Sequence, residues 1–159
     1  MPTPCNLRVA DIPGSSEKES REDTIDVFEI EHHLHQPTEP TTGEATGVRV
    51  HSPLRVVAAL DKATPGLHKA LCTGQNLVSV NLEFYRIDPL TRSEAKYYEI
   101  RLIHARIVDC SPYMPMSFVP ANESYRHMVQ YSFVYEEIEW DWMPDTTVEG
   151  DRWRSPGGA

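Results

Sequence analysis

The stretch Val129–Trp142 constrains this chain more than any other. Val129, Tyr131, Phe133 and Tyr135 alternate with Gln130, Ser132 and Val134. Ile138, Trp140 and Trp142 then alternate with Glu137, Glu139 and Asp141. Apolar residues at every second position, rich in aromatic and β-branched side chains, describe an extended strand with one buried face. A helix would scatter the same residues around its axis. The period recurs in Ile25, Val27 and Ile30, with Phe28 beside them, and in Val78, Val80, Leu82 and Phe84 against Ser79, Asn81 and Glu83. Tyr98, Ile100 and Leu102 lead on through Ile103, Ala105 and Ile107. A longer run, Val48, Val50, Leu54, Val56 and Val57, is interrupted by Pro53, which lacks an N–H and so marks an edge or a bulge.

One segment breaks the alternation. Residues 64–74 read TPGLHKALCTG. Thr64 is placed to cap a helix, Pro65 suits the first helical position, and Gly74 suits a left-handed end. Leu67, Ala70 and Leu71 fall at helical spacing, so this stripe is expected to pack on the rest of the fold. Many strands and a single short helix predict a mainly β protein, a barrel or sandwich with the helix on its flank.

With 159 residues the chain is long enough for one domain, spanning 1–159, with a core of its own. Segment 15–23 (SSEKESRED) is polar and charged and is expected to form a flexible loop, and the tail 151–159 is expected to fray. No apolar run is long enough for a membrane-spanning helix, and no basic start followed by an apolar block suggests a leader. The formal net charge of −9 argues against nucleic acid and against insertion at an anionic membrane surface as partners.

Side chains with chemical potential are present, but their spacing favours structural roles. In His32, His33 and His35 only the last two share a face of a strand, too few for a zinc site, so no metal is expected. Cys5, Cys72 and Cys110 are odd in number and far apart, which suits reduced thiols. Cys72 stands near a helix C-terminus, a setting that disfavours a thiolate nucleophile. Glu136, Glu137, Glu139 and Asp141 alternate with apolar residues, as the wet face of a strand does, rather than forming a hydrolytic pair. No catalytic residue and no cofactor is expected. A one-domain β protein of this kind works through its surface. The outstanding surface feature is the eleven-residue stretch 37–47, PTEPTTGEATG, which is longer than an ordinary hairpin loop and stiffened by two prolines. From the residues alone, a tolerated insertion and a protruding contact arm fit it equally.

At this point the motifs resemble a known family. Gly47-Val48-Arg49-Val50-His51-Ser52-Pro53, followed by Asp61-Lys62-Ala63-Thr64-Pro65, Leu67, Ala70-Leu71 and Gly74, is similar to the G-x-R-x-H-x-P and D-K-A-x-P-x-L-x-x-A-L-x-x-G stretch of the hemolysin-coregulated proteins (Hcp). Glu31-His32-x-Leu34 with Pro37-Thr38 and Thr42-Gly43 resembles the upstream E-H-x-L-x-x-P-T-D-x-x-T-G. Phe84-Tyr85-Arg86, Tyr135-x-x-Ile138-x-Trp140, the opening MPTPC and the closing Asp151-x-Trp153-Arg154-x-Pro156 continue the likeness to both ends. Each motif is weak alone, and their order along the whole chain makes the match specific. Glu39 stands where the family often has Asp, and Phe84 where it usually has Trp. Segments 15–23 and 113–127 match little.

The resemblance implies an Hcp-like β-barrel of two antiparallel sheets with one short flanking helix at about 64–74. It implies a structural component of the type VI secretion system: six copies form a ring, rings stack into the inner tube, and contraction of a sheath ejects the tube. The partners implied are further copies of the chain, the VgrG spike, the contractile sheath, the baseplate, and effector proteins carried in the lumen. The implied location is the bacterial cytoplasm during assembly and then the outside of the cell. The extended loop, with Pro37, Thr38, Glu39, Pro40, Thr42, Gly43 and Gly47, is expected to touch the next ring. Rivals outside a secretion machine are a monomeric β-barrel that binds a protein or a ligand, and a small hydrolase.

Overall fold

In the computed structural model, which describes residues 3–153, the alternating segments become strands. They are β1 (Cys5–Val9), β2 (Ile25–Glu31), β3 (Leu34–His35), β4 (Val50–His51), β5 (Leu54–Ala59), β6 (Leu77–Ile87), β7 (Glu94–Tyr113), β8 (Met128–Trp142) and β9 (Thr147–Arg152), with helix α1 (Thr64–Thr73) between β5 and β6.

The main sheet runs β5-β2-β1-β6-β7-β8-β9, and β5 also pairs with β8. Its first six strands therefore close into an antiparallel barrel, which removes most exposed strand edges. β7 follows one edge of β8 from Tyr98↔Trp142 to Tyr113↔Met128. The other edge serves two partners in turn. β5 pairs with it from Leu54↔Phe133 to Ala59↔Met128, and β9 from Glu137↔Arg152 to Trp142↔Thr147. Tyr135 lies at the changeover. β3 and β4 form a separate two-stranded ribbon.

The expected barrel with a flanking helix is thus the fold, and its two antiparallel sheets are unequal: one closes on itself and the other is a short ribbon. The inward residues of the alternating runs make the core. Leu7, Leu54, Val56, Val80, Leu82, Leu102, Val129, Tyr131, Phe133 and Ile138 are completely buried, the setting in which apolar area stabilises most per residue. Pro53 is neither an edge nor a bulge within one strand. It falls between β4 and β5 and separates strands of different sheets. β1 and β9 were not expected from alternation. In β1 the pattern is blurred because Asn6 is buried beside Cys5 and Leu7, and in β9 Val148 is the sole large apolar residue.

Helix α1 begins at Thr64 itself, so Thr64 is not its cap. The Asp61 carboxylate accepts the Ala63 N–H (2.8 Å), while the Thr64 hydroxyl accepts the Asp61 N–H (3.0 Å), a reciprocal turn that leads into the helix. Gly74 ends it at φ 65°, and the Gln75 N–H reaches the Ala70 carbonyl (2.9 Å). Leu67 and Ala70 are buried, Leu71 is half-buried against the core, and the helix lies on β7.

Segment 15–23 folds back on itself. Gly14 N–H donates to the Asp23 carbonyl (2.8 Å) and Ser16 N–H to that of Thr24 (3.0 Å), and Ser15 N–H reaches the Asp61 carboxylate (2.9 Å). Arg21 is buried, and its guanidinium pairs with Glu94, donates to Asn6 Oδ1 (3.3 Å) and lies 4.2 Å above the Tyr85 ring. The partners that satisfy this charge come from β1, β6 and β7, which is why a charged stretch can run against the barrel. Of the tail, Asp151 and Arg152 belong to β9, and residues 154–159 lie outside the described residues.

Candidate functional site: a projecting ribbon and the joint at its base

Residues 37–47 extend the β3–β4 ribbon rather than hanging from it as an open loop. Beyond the pairs Leu34↔His51 and His35↔Val50, Gln36 Nε2 donates to the Gly47 carbonyl (2.6 Å) and Thr46 N–H to that of Pro37 (3.0 Å). A bridge joins Thr38 to Ala45, Glu39 N–H donates to the Glu44 carbonyl (2.7 Å), and Gly43 N–H closes the tip on Glu39 (2.8 Å). Gly43 has φ 76° with open space where a Cβ would stand, so the backbone conformation and not crowding calls for glycine. Pro37 is half-buried and the rest of the stretch is exposed. The structure therefore places Pro37, Thr38, Glu39, Pro40, Thr42, Gly43 and Gly47 together on one self-bonded projection. Leu67, Ala70 and Leu71 are not part of it and hold the helix to the barrel.

The base of the ribbon is clasped to the barrel and to β9. Arg49 and His51, two residues apart in extended chain, share a face, and both meet Asp151. Arg49 Nη2 donates to Asp151 Oδ1 (2.6 Å), and its Nε engages Oδ2. His51 Nε2 lies 2.8 Å from the same Oδ2, and its Nδ1 lies 2.7 Å from Tyr135 Oη. His32 Nε2 approaches that hydroxyl from the other side, at 2.8 Å. The Trp153 ring packs edge-on against Tyr135, with centroids 4.9 Å apart. Hydrogen bonding from Arg49 first, then from His51 and the Arg152 backbone, holds the Asp151 carboxyl well below the usual carboxylate range, against the opposing effect of burial. Burial, followed by the charges of His51 and His33, lowers the pKa of His32. Burial, followed by the charge of Asp151, raises that of Tyr135.

His33 and His35 stack on each other with ring centroids 6.0 Å apart, while His32 turns to Tyr135. Among the described residues no group of three or more His, Cys, Asp or Glu is placed to hold a metal ion. Cys5 is buried, and burial pushes its thiol up to about 12; Cys110 is half-buried and pushed up to about 11 for the same reason. On β8, Glu139 and Asp141 take the guanidinium of Arg101 at 3.0 and 3.1 Å, as cross-strand partners. Segment 113–127 exposes Tyr113, Met114, Met116, Phe118 and Tyr125, with Phe118 79% exposed. Tyr113 and Tyr125 border an open groove of about 600 Å³ together with Phe28, Val57, Arg55 and Arg126. Sequence reasoning singled out neither the groove nor the clasp. Arg49, His51, Tyr135, Asp151 and Trp153 were all visible in the family-like motifs, but nothing local says that they meet.

The structure presents a closed antiparallel barrel with a self-bonded projecting ribbon and exposed apolar side chains. The family model described as "Type VI secretion system effector, Hcp" matches residues 7–142. The "Major exported protein" of Pseudomonas aeruginosa is 35% identical over 146 residues, covering 92% of this chain and 84% of that protein. Among solved structures, a double mutant of Hcp1 from E. coli EAEC 042 pathovar is 30% identical, with a TM-score of 0.82 over 97% of this chain and 99% of that one. The secreted protein Hcp3 of Pseudomonas aeruginosa is 26% identical, with a TM-score of 0.74 over 97% and 100%. The chain belongs to the Hcp family of type VI secretion system proteins.

Proposed function

We propose that this chain closes into rings of six, that the rings stack into the inner tube of the type VI secretion system, and that the ribbon at 37–47 is the contact from one ring to the next. The observation that carries this reading is the ribbon itself. It is exposed, bonded within itself and clasped at its base, so it costs little further ordering entropy on docking. Two further features suit contacts between copies. Among the described residues β9 pairs only with β8, on one edge, and a free edge beside Val148, which is half exposed, invites another surface. A ring also needs two different complementary faces, and exposed apolar side chains such as Leu90 and Phe118 supply material for them. The role is mechanical, and no side chain is assigned a chemical step. The VgrG spike, sheath and baseplate are the partners in that role. The groove bordered by Phe28, Tyr113 and Tyr125 supports a second element, the holding of an effector segment.

The same groove also favours the rival reading, a monomeric barrel that binds a protein or a ligand. Light scattering after size exclusion of tag-free protein, with negative-stain images, separates the two. Ring-shaped particles of six times 18.1 kDa are expected. A persistent 18.1 kDa monomer at high concentration overturns the ring and leaves the binding module.

A further inference from the structure

We infer that Tyr135 Oη is the toggle of a pH-sensitive clasp: one proton taken up between His32 and His51 reverses the direction of its hydroxyl, and a second breaks the bond that holds the ribbon to the barrel.

The argument is proton counting at a buried oxygen. Tyr135 is 4% exposed, and its hydroxyl faces His51 Nδ1 at 2.7 Å and His32 Nε2 at 2.8 Å. The hydroxyl has one proton to give and can accept two. Asp151 is ionised between Arg49 and His51 and only accepts, so His51 Nε2 carries a hydrogen. With both imidazoles neutral, one arrangement satisfies every group at the Asp151 end. His51 donates to Asp151, Tyr135 donates to His51 Nδ1, and His32 Nε2–H donates to Tyr135 Oη.

Adding one proton keeps every bond but reverses the chain. His32 is half-exposed, and its Nδ1 gains the proton. The Nε2 proton passes to Tyr135 Oη, and the hydroxyl proton passes to His51 Nδ1. One proton has entered, and the positive charge has moved from His32 to His51, where the Asp151 carboxylate meets it. A second proton has no such outlet. Both imidazoles then present N–H to the hydroxyl, whose own proton loses its acceptor in a buried place, and two cations flank one oxygen.

The charged surroundings are few. The ribbon side brings His33 and Arg49, and β9 brings Asp151 and Arg152, the latter 4.0 Å from Glu137. β7 contributes His104 and Arg106, and β8 contributes Glu136, to the shallow cleft that Tyr135 also borders. Asp151 is the anion in direct contact with either imidazole, so it receives the first charge.

Imidazole nitrogens of the full-length, 15N-labelled protein would be followed by NMR from pH 8 to 4. His32 is expected to hold its proton on Nε2 at pH 8 and to move it to Nδ1 as His51 becomes doubly protonated, so that both rings report the same two midpoints. Separate single-midpoint titrations, or a His32 that keeps the Nε2 proton while His51 charges, overturn the proposal. In Tyr135→Phe the two titrations are expected to decouple, and coupling that survives overturns it. Should that variant fail to fold, His32→Gln retains the hydroxyl, and His51 is then expected to titrate in one step. Amide exchange, corrected for its intrinsic pH dependence, reads the release. Amides of the ribbon are expected to lose at least ten-fold protection relative to β7 below the second midpoint, and equal protection overturns that half.

Discussion

Tyr135 Oη lies 2.7 Å from His51 Nδ1, at the point where the edge of β8 passes from pairing with β5 to pairing with β9. A seam in a barrel is where strand pairing is interrupted, and here side chains from the ribbon close it. The projection and the barrel wall therefore meet at one buried oxygen, and Asp151 of β9 joins them through the other ring nitrogen of His51.

Replacing residues 37–47 with a two-residue Asn-Gly turn removes the projection while keeping the clasp at Arg49 and His51. Rings are expected to survive on light scattering, and tubes are expected to vanish from electron micrographs. Normal tubes from this variant would show that the ribbon is not the contact between rings.

Leu67→Ala empties a fully buried site under α1 and is expected to cost about 2–5 kcal/mol. Leu71→Ala, at a half-buried site on the same stripe, is expected to cost clearly less. Denaturant titration of the two variants measures the order, and equal losses would mean that the helix face is not seated as described.

Gly14→Ala puts a Cβ 2.3 Å from the Thr24 carbonyl oxygen and 2.8 Å from a side-chain carbon of Ile25. Both neighbours lie in or beside the barrel wall, so segment 15–23 must move away. A loss of about 1–3 kcal/mol is expected, together with new proteolytic cuts within 15–23. Wild-type stability and an unchanged digestion pattern would contradict the close packing.

Stability is expected to fall with acid in two stages. His32 has a lowered pKa in the fold, so the unfolded chain binds a proton first, and stability begins to drop below about pH 6.5. Asp151 is also depressed; its contribution is complete above about pH 4 and is lost as pH falls toward its folded value. Denaturant midpoints from pH 8 to 3 check this. Asp151→Asn should weaken the lower stage, and an unaltered lower stage would place its origin elsewhere.

The sequence by itself determined the local states. Alternation wrote β2, β5, β6, β7 and β8, because a pleated strand with one buried face requires period two whatever it pairs with. Helical spacing and Gly74 wrote α1, and the ordered motifs from Met1 to Pro156 pointed to the family. The tertiary structure decided what is not local. Pro53 separated two sheets because β4 left the barrel for the ribbon. Arg21 went inside because Glu94, Asn6 and Tyr85, far away in sequence, meet it there. The clasp joins His51 to Tyr135 and Asp151 across separations of 84 and 100 residues. Pairing partners, barrel closure and buried polar contacts depend on which surfaces exclude water from one another, and that is settled only when the whole chain has folded.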